Sequence, residues 1–348
     1  MNVLITGNLG YVGPGLVREL REHHPEARLA GYDIGYFAKY ITSPSVSPDI
    51  FLNVQHYGDV RQFPEHLLEG VDVVVSLAAI SNDPIGNKFE EVTLDVNYQA
   101  NVNIARMAKR QGVRKFIFAS SCSVYGSAED AARTESSALD PLTAYARSKV
   151  YSEEALEALA SEDFQVTCLR FATACGMSER LRLDLVLNDF VAGALTAGKI
   201  TILSDGSPWR PLINVLDMAR AIRWACERSV ETGGTFLTVN TGSNDWNYQI
   251  KDLALATQKL LPQVAVAINK DALPDKRSYR VDFSRFELLA PGHQPLFGLK
   301  ETVKGLIDGL QSIAFTDADY HQSGLIRLNV INELLTRKEM NSNLSLRV

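Results

Sequence analysis

The sequence predicts an α/β protein built on a doubly wound parallel sheet, Rossmann-like, with a smaller mixed C-terminal lobe. Three observations lead there. Short runs rich in Val, Ile, Leu and Phe alternate with helical patterns through about residue 170. The runs lack polar–apolar alternation, which suits strands covered on both faces. A glycine-spaced turn, Gly7-x-x-Gly10-x-x-Gly13, joins the first run to the first helical pattern.

In chain order, strands are expected at Asn2–Thr6, Arg28–Asp33, Val71–Leu77, Lys115–Ser120 and Val166–Phe171. Helical periodicity lies between them at Pro14–His23, Phe89–Gln111 and Ala144–Ala160. This β-α-β alternation implies right-handed crossovers, and ligands beyond the carboxyl ends of the strands. After residue 172 the pattern loosens. Helices are expected at Leu183–Gly198, Val215–Arg228 and Tyr248–Leu261, and strands at Ile200–Leu203 and Phe236–Asn240. Residues 262–298 are rich in Pro, Gly and short polar segments. The organisation that follows is a sheet domain over 1–172, to which later segments return, and a lobe over 173–340. The tail 341–348 has no periodicity and is expected to be disordered.

With 348 residues, 46% hydrophobic and 22% charged, the composition is that of a globular chain and excludes low-complexity scaffolds. A net charge of -6 without long Lys/Arg runs argues against nucleic acid and anionic membranes as partners. No window approaches the ~18 uncharged apolar residues of a membrane span. Cys122, Cys168, Cys175 and Cys226 show no metal-ligand spacing and read as reduced thiols of a cytoplasmic protein. The opening residues MNVLITGNLGYVG read as strand and turn rather than signal peptide. The six histidines show no metal spacing either, so no metal site is expected.

The glycine turn has the context that a dinucleotide site demands. Gly7 permits the tight turn, Gly10 lets a diphosphate approach, and Gly13 allows close helix–strand packing. Asn8, Leu9, Tyr11 and Val12 complete the loop, whose helix N-terminus supplies amides and a positive dipole. Asp33 ends the second strand, where its carboxylate would accept from ribose hydroxyls and repel a 2′-phosphate; NAD is therefore expected over NADP. Asp59, Val60, Leu77, Ala78 and Ala79 could border the adenine and the middle of the cofactor.

Tyr145 and Lys149 lie four residues apart, on one face of a helix. A phenol near pKa 10 is a poor base until a neighbouring ammonium and an oxidised nicotinamide favour its anion. Upstream, Ser120, Ser121 and Ser123 put hydroxyls beyond the end of the strand Lys115–Ser120.

These segments together resemble the extended short-chain dehydrogenase/reductases of the nucleotide-sugar epimerase/dehydratase group, such as UDP-glucose/galactose C4 epimerases. The matching residues are TGNLGYVG, Asp33, LAA at 77–79, Asn97 in DVNYQANVNIA, SSCSVYG, YARSK, LRFATACG, DLVLND and WRPLINVLDMARAI. The resemblance implies Ser121 as the hydroxyl on the reacting sugar oxygen, Tyr145 as base and acid, and Lys149 on the nicotinamide ribose. It places Asn97 behind the site, and Phe171 and Ala172 beside the nicotinamide. It assigns Asn188, Arg210, and Arg277 or Arg280 to the nucleotide diphosphate or base of the substrate. Ser81, with Asn82 and Asp83, could touch the sugar. In this group 4,6-dehydratases carry Asp-Glu after the serine; here Cys122-Ser123 stands there, which disfavours that reaction. Cys122 reads as a packed thiol.

The expected activity is NAD-dependent epimerisation of a nucleotide-diphosphate sugar through a transient keto sugar. A net ketoreductase or dehydrogenase shares these residues, and a non-catalytic nucleotide-binding protein is a remote alternative. The resemblance also implies a homodimer, paired through Phe89–Gln111 and Ala144–Ala160. Val92, Leu94, Val96, Val102, Ile104, Met107, Val150, Leu156 and Leu159 give these helices apolar residues beyond one buried stripe.

Overall fold

The computed structural model describes residues 1–43, 46–81, 83–127, 131–269 and 278–347. The chain lays down β1 (Asn2–Thr6), β2 (Arg28–Asp33), β3 (Val54–Tyr57), β4 (Val73–Ser76), β5 (Lys115–Ser121) and β6 (Gln165–Phe171). It then leaves the sheet for β7 (Thr173–Cys175), β8 (Lys199–Ile202) and β9 (Trp209–Asn214). It returns with β10 (Phe236–Thr241), and ends its strands with β11 (Asn247–Gln249) and β12 (Ala265–Ile268).

Seven of these form one sheet in the order β3-β2-β1-β4-β5-β6-β10, parallel at every pairing. The direction of winding reverses between β1 and β4, which opens a crevice at their carboxyl ends. Successive side chains alternate across the pleat, so both faces are apolar. Val3 and Ile5 pack on the side of helices Gly13–His23 and Val215–Glu227. Leu4, Phe116 and Phe118 face Asn101–Arg110 and Ala144–Glu157. The expected helix Phe89–Gln111 is one continuous rod, but its middle, Asp95–Ala100, widens into a π-helical turn.

The lobe holds a small sheet β11-β9-β7, a parallel pair β12-β8, and helices Val186–Ala197, Ile250–Leu260 and Leu299–Ser312 around a second apolar core. No helix among the described residues is long and apolar enough to cross a membrane. All four cysteines are free and buried.

The tail differs from its expected disorder. After helix Arg327–Thr336, Met340 and Leu344 are buried with Ile80, Ile85 and Ile331, against Tyr36 and Phe37. Arg61 Nη1 donates to the Asn343 carbonyl at 2.6 Å, and the Tyr36 hydroxyl donates to the Leu344 carbonyl. An aperiodic strap buries single side chains without leaving a repeat in the sequence.

Candidate active site

A cavity of about 940 Å³ opens at the carboxyl ends of the sheet strands and continues under the lobe. One end is built on the glycine turn. Gly7 has φ +76, and a Cβ there would lie 2.4 Å from the Ala78 amide nitrogen. A Cβ on Gly13 would lie 1.8 Å from the Asn8 carbonyl oxygen, so both positions demand bare backbone. Gly10 donates to the Gly7 carbonyl at 3.1 Å, closing the turn. Gly7, Gly10, Tyr11 and Val12 line the cavity, with Asp33, Asp59, Val60, Leu77, Ala78 and Ala79. The Asp33 carboxylate accepts from Leu9 N at 3.1 Å and Gly35 N at 2.7 Å. Burial pushes Asp33 above the usual carboxylate range, while these amides and the more distant Arg180 and Arg327 oppose the shift. Asp59 is held by Arg61, with Nη2 at 2.6 Å.

Asn8, Leu9, Gly13 and Asn97 stand outside the cavity wall. Asn8 turns its amide to Gln55 at 2.6 Å, and the Leu9 side chain is buried. Asn97, in the π-helical turn, clasps the backbone of Ile80, accepting from its N at 2.8 Å and donating to its O at 3.0 Å. It shapes the loop after β4.

At the other end, Ser120, Ser121, Ser123, Tyr145, Lys149, Phe171 and Ala172 share the same wall. Thr143 caps the Tyr145 helix by accepting from Ala146 N at 3.2 Å, which fixes Tyr145 in the first turn. Lys149 Nζ donates to the Ala119 carbonyl at 2.7 Å and sits 5.4 Å from the centre of the Tyr145 ring. Burial lowers its pKa to about 8, against the opposing pull of Glu153. Ser121 Oγ accepts from Ser123 N at 3.1 Å, and the buried Ser123 hydroxyl has no partner among the described residues. The Ser120 hydroxyl turns inward to Glu153, which pairs with Arg170 at 2.6 Å. Cys122 lies in the core, its thiol donating to the Arg170 carbonyl at 3.1 Å and pushed well up by burial.

Of the residues assigned to substrate, Ser81 and Arg210 line the cavity under the lobe. Arg210 donates to the Trp209 carbonyl at 2.8 Å and lies 5.9 Å from the Tyr279 ring centre. Asn188 is buried as a brace, accepting from Gly176 N and donating to the Tyr11 hydroxyl at 3.1 Å. Arg280 stacks on Trp209 at a smaller, separate cavity. Arg277 and Asn82 lie outside the described residues. The sequence reading missed Arg182, Asp184 and Arg327, all on the cavity wall. Arg182 is paired with Asp184 at 2.9 Å and donates to Ser81 Oγ at 2.9 Å. Two opposite charges inside the apolar run LRLDL were the available signal for that pair. Among the described residues no group of His, Cys, Asp or Glu could hold a metal ion.

The wall fits a dinucleotide: bare backbone before a helix N-terminus for a diphosphate, and a carboxylate ending β2 for ribose hydroxyls. Comparison with known proteins agrees. A Bacillus subtilis (strain 168) protein described as an uncharacterised UDP-glucose epimerase is 28% identical over 230 residues, 64% of this chain and 71% of its own. The NAD-dependent NDP-hexosamine 5,6-dehydratase TunA superposes with a TM-score of 0.77 at 24% identity, covering 91% of this chain and 99% of its own. MoeE5, solved with UDP-glucuronic acid and NAD, gives 0.75 at 25% identity, covering 90% and 99%. The model of the NAD-dependent epimerase/dehydratase family matches residues 3–240. With that match added to the glycine turn and the Tyr145–Lys149 helix, the chain belongs to the NAD-dependent epimerase/dehydratase family.

Proposed function

We propose that this enzyme epimerises a nucleotide-diphosphate sugar through a transient keto sugar. One observation carries the reading: Ser121, Ser123, Tyr145 and Lys149 share a single cavity with the glycine turn and Arg210. Bound NAD⁺ supplies a hydride acceptor that can return the hydride. Gly7, Gly10, Tyr11, Val12 and Asp33 would hold it, with Lys149 at the nicotinamide ribose. Tyr145, held as its phenolate by the neighbouring Lys149 ammonium, takes the proton from the sugar hydroxyl and becomes the neutral phenol. Ser121 orients the sugar oxygen, and Ser123 offers a second hydroxyl. Arg210 provides a planar fork for the substrate diphosphate. After the keto sugar turns over in the site, Tyr145 returns the proton. With Cys122 packed in the core, the residues after Ser121 offer no carboxylate pair for 4,6-dehydration.

The test is to denature purified protein, assay the released dinucleotide, and then screen nucleotide sugars. Stoichiometric NAD⁺, and two-way interconversion of sugars without net NADH, are the expected results. An empty site with net cofactor consumption would replace the epimerase by a ketoreductase. We further propose a cytoplasmic homodimer, in keeping with the free buried thiols and with the exposed Tyr151 ring packed on Tyr98.

A further inference from the structure

The helix Arg327–Thr336 and the strap after it reach back across the sheet domain, some three hundred residues from the glycine turn. They settle on the segment after β2, on Asp59–Arg61 and on the loop after β4. Tyr40 donates to Glu333 at 3.1 Å, Lys88 to Asn332 at 2.7 Å, and Arg61 Nη2 to Ser345 at 2.9 Å. Arg327, Ile331 and Leu344 thereby become part of the cavity wall, beside Asp33, Tyr36 and Phe37.

Arg327 is 4% exposed, and its guanidinium lies 3.8 Å from the centre of the Phe37 ring. A guanidinium has five N–H donors. Among the described residues Arg327 makes one hydrogen bond, from Nη2 to the Arg180 carbonyl at 3.4 Å. Arg180 is itself engaged with Asp49 and the Ala38 carbonyl, and Arg182 with Asp184. The Asp33 carboxylate accepts from backbone amides and, among the described residues, makes no hydrogen bond to Arg327. Burial pulls the guanidinium down to about 9, with Arg182 adding to the shift and Asp184 and Asp33 opposing it. A buried cation with most donors unused, on the wall of a ligand cavity, calls for an anion.

We propose that Arg327 binds the diphosphate of the dinucleotide, delivered by a C-terminal helix and strap that close the adenosine side of the cleft. The neighbourhood of Asp33 and Phe37 favours the dinucleotide over the sugar nucleotide, whose expected ligand Arg210 lies under the lobe. The inference rests on reading the glycine-turn end of the cavity as the dinucleotide site.

The test is calorimetric titration of NAD⁺, and separately of UDP, into dinucleotide-stripped wild type, R327Q and R327K. Loss of charge-assisted hydrogen bonds should weaken NAD⁺ binding by about 10- to 100-fold in R327Q. R327K should fall between, and UDP affinity should stay within about twofold. Equal NAD⁺ binding by wild type and R327Q overturns the role of Arg327 alone. Weakened UDP with unchanged NAD⁺ reassigns the guanidinium to the sugar nucleotide and overturns it too. Wild type that binds no NAD⁺ overturns the reading of the cleft itself. Should the variants not fold, hydrogen exchange on wild type decides. NAD⁺ should slow the amides of 327–336, and unchanged exchange there overturns the proposal.

Discussion

Lys149 donates its ammonium to the carbonyl oxygen of Ala119 at 2.7 Å, pinning the Tyr145 helix to the end of β5. The Phe118 ring centre lies 4.6 Å from the same nitrogen, so the cation is held in a largely apolar wall. That position has a measurable cost.

Unfolded, Lys149 keeps its proton up to its ordinary 10.5; folded, burial brings the pKa to about 8. Folding therefore gains from this group as pH rises from 8 toward 10.5, and loses that contribution as pH falls through 8. The full difference is about 3 kcal/mol, from about 1.36 kcal/mol per unit. Urea unfolding of dinucleotide-free wild type and Lys149→Met at pH 7 and pH 10 measures it. Wild type should gain on the variant at the higher pH, and parallel behaviour would show the lysine is not desolvated.

One turn along the same helix, Glu153 binds Arg170 through bonds of 2.6, 3.0 and 3.1 Å in the buried interior. Arg170 in turn donates to the Tyr125 hydroxyl at 2.9 Å, which donates to Asn240 of β10 at 2.7 Å. Removing one charge strands the other, at a cost of about 3–5 kcal/mol. Glu153→Gln should lower stability by that order in chemical denaturation. Glu153→Gln with Arg170→Met should recover part of it, because no lone charge remains.

The sheet was legible because strands buried on both faces leave unbroken apolar runs, as in Val3, Leu4 and Ile5. β3 was not: VQHY is a half-exposed edge strand with little apolar content. β9 was hidden by Pro211 and by Arg210 and Asn214, which leave only Leu212-Ile213 as an apolar run. In the site, Ser121, Tyr145 and Lys149 could be found because one strand end and one helix turn carry them. Asn97 and Asn188 belong to recognisable segments, yet their amides serve backbone and Tyr11, which spacing does not reveal. Arg327 left no local signal, since only the folded C-terminal helix brings it to the cavity wall beside Asp33.

Asp33 should set cofactor choice. Its carboxylate lines the cavity and is fixed by two backbone amides, so a 2′-phosphate there would meet a held negative charge. NAD should bind at least tenfold more tightly than NADP, about 1.4 kcal/mol. Asp33→Asn should shrink that ratio in parallel titrations. Because the carboxylate titrates above its usual range, discrimination should decline on mild acidification. Equal binding of both cofactors by wild type would remove Asp33 from this role.

Several of the apolar residues beyond one buried stripe on 89–111 and 144–160 are covered within the chain. Val102, Ile104 and Leu156 are buried, and Val92 and Val96 lie under the C-terminal strap. Outward stand the partly exposed Leu94 and Tyr98 packed edge-on to Tyr151, ring centres 5.7 Å apart, with Tyr151 exposed. A two-fold pairing through this patch predicts a species near twice 38.4 kDa in sedimentation. Tyr151→Asp should shift it toward monomer, and a wild type that sediments only as monomer would exclude the dimer.

The remaining prediction concerns Tyr145, Lys149 and Ser121 acting as a unit on the cavity wall. Tyr145→Phe removes only the ionisable oxygen, so the fold and NAD binding should stay nearly intact. Loss of a general base typically costs about 10²–10⁴ in rate, and single-turnover hydride transfer should slow by that factor. Lys149→Ala should slow the same step and also weaken NAD binding, because the ammonium serves both phenol and ribose. Ser121→Ala should act on turnover with little effect on the dinucleotide. The double variant Tyr145→Phe/Ser121→Ala should be barely slower than Tyr145→Phe, since an orienting hydroxyl has nothing to assist once the base is gone. Cys122→Ala supplies the control: its thiol is packed against the Arg170 carbonyl rather than on the cavity wall, so most activity should survive. Hydride transfer by Tyr145→Phe at the wild-type rate would reduce the tyrosine–lysine pair to a helix surface.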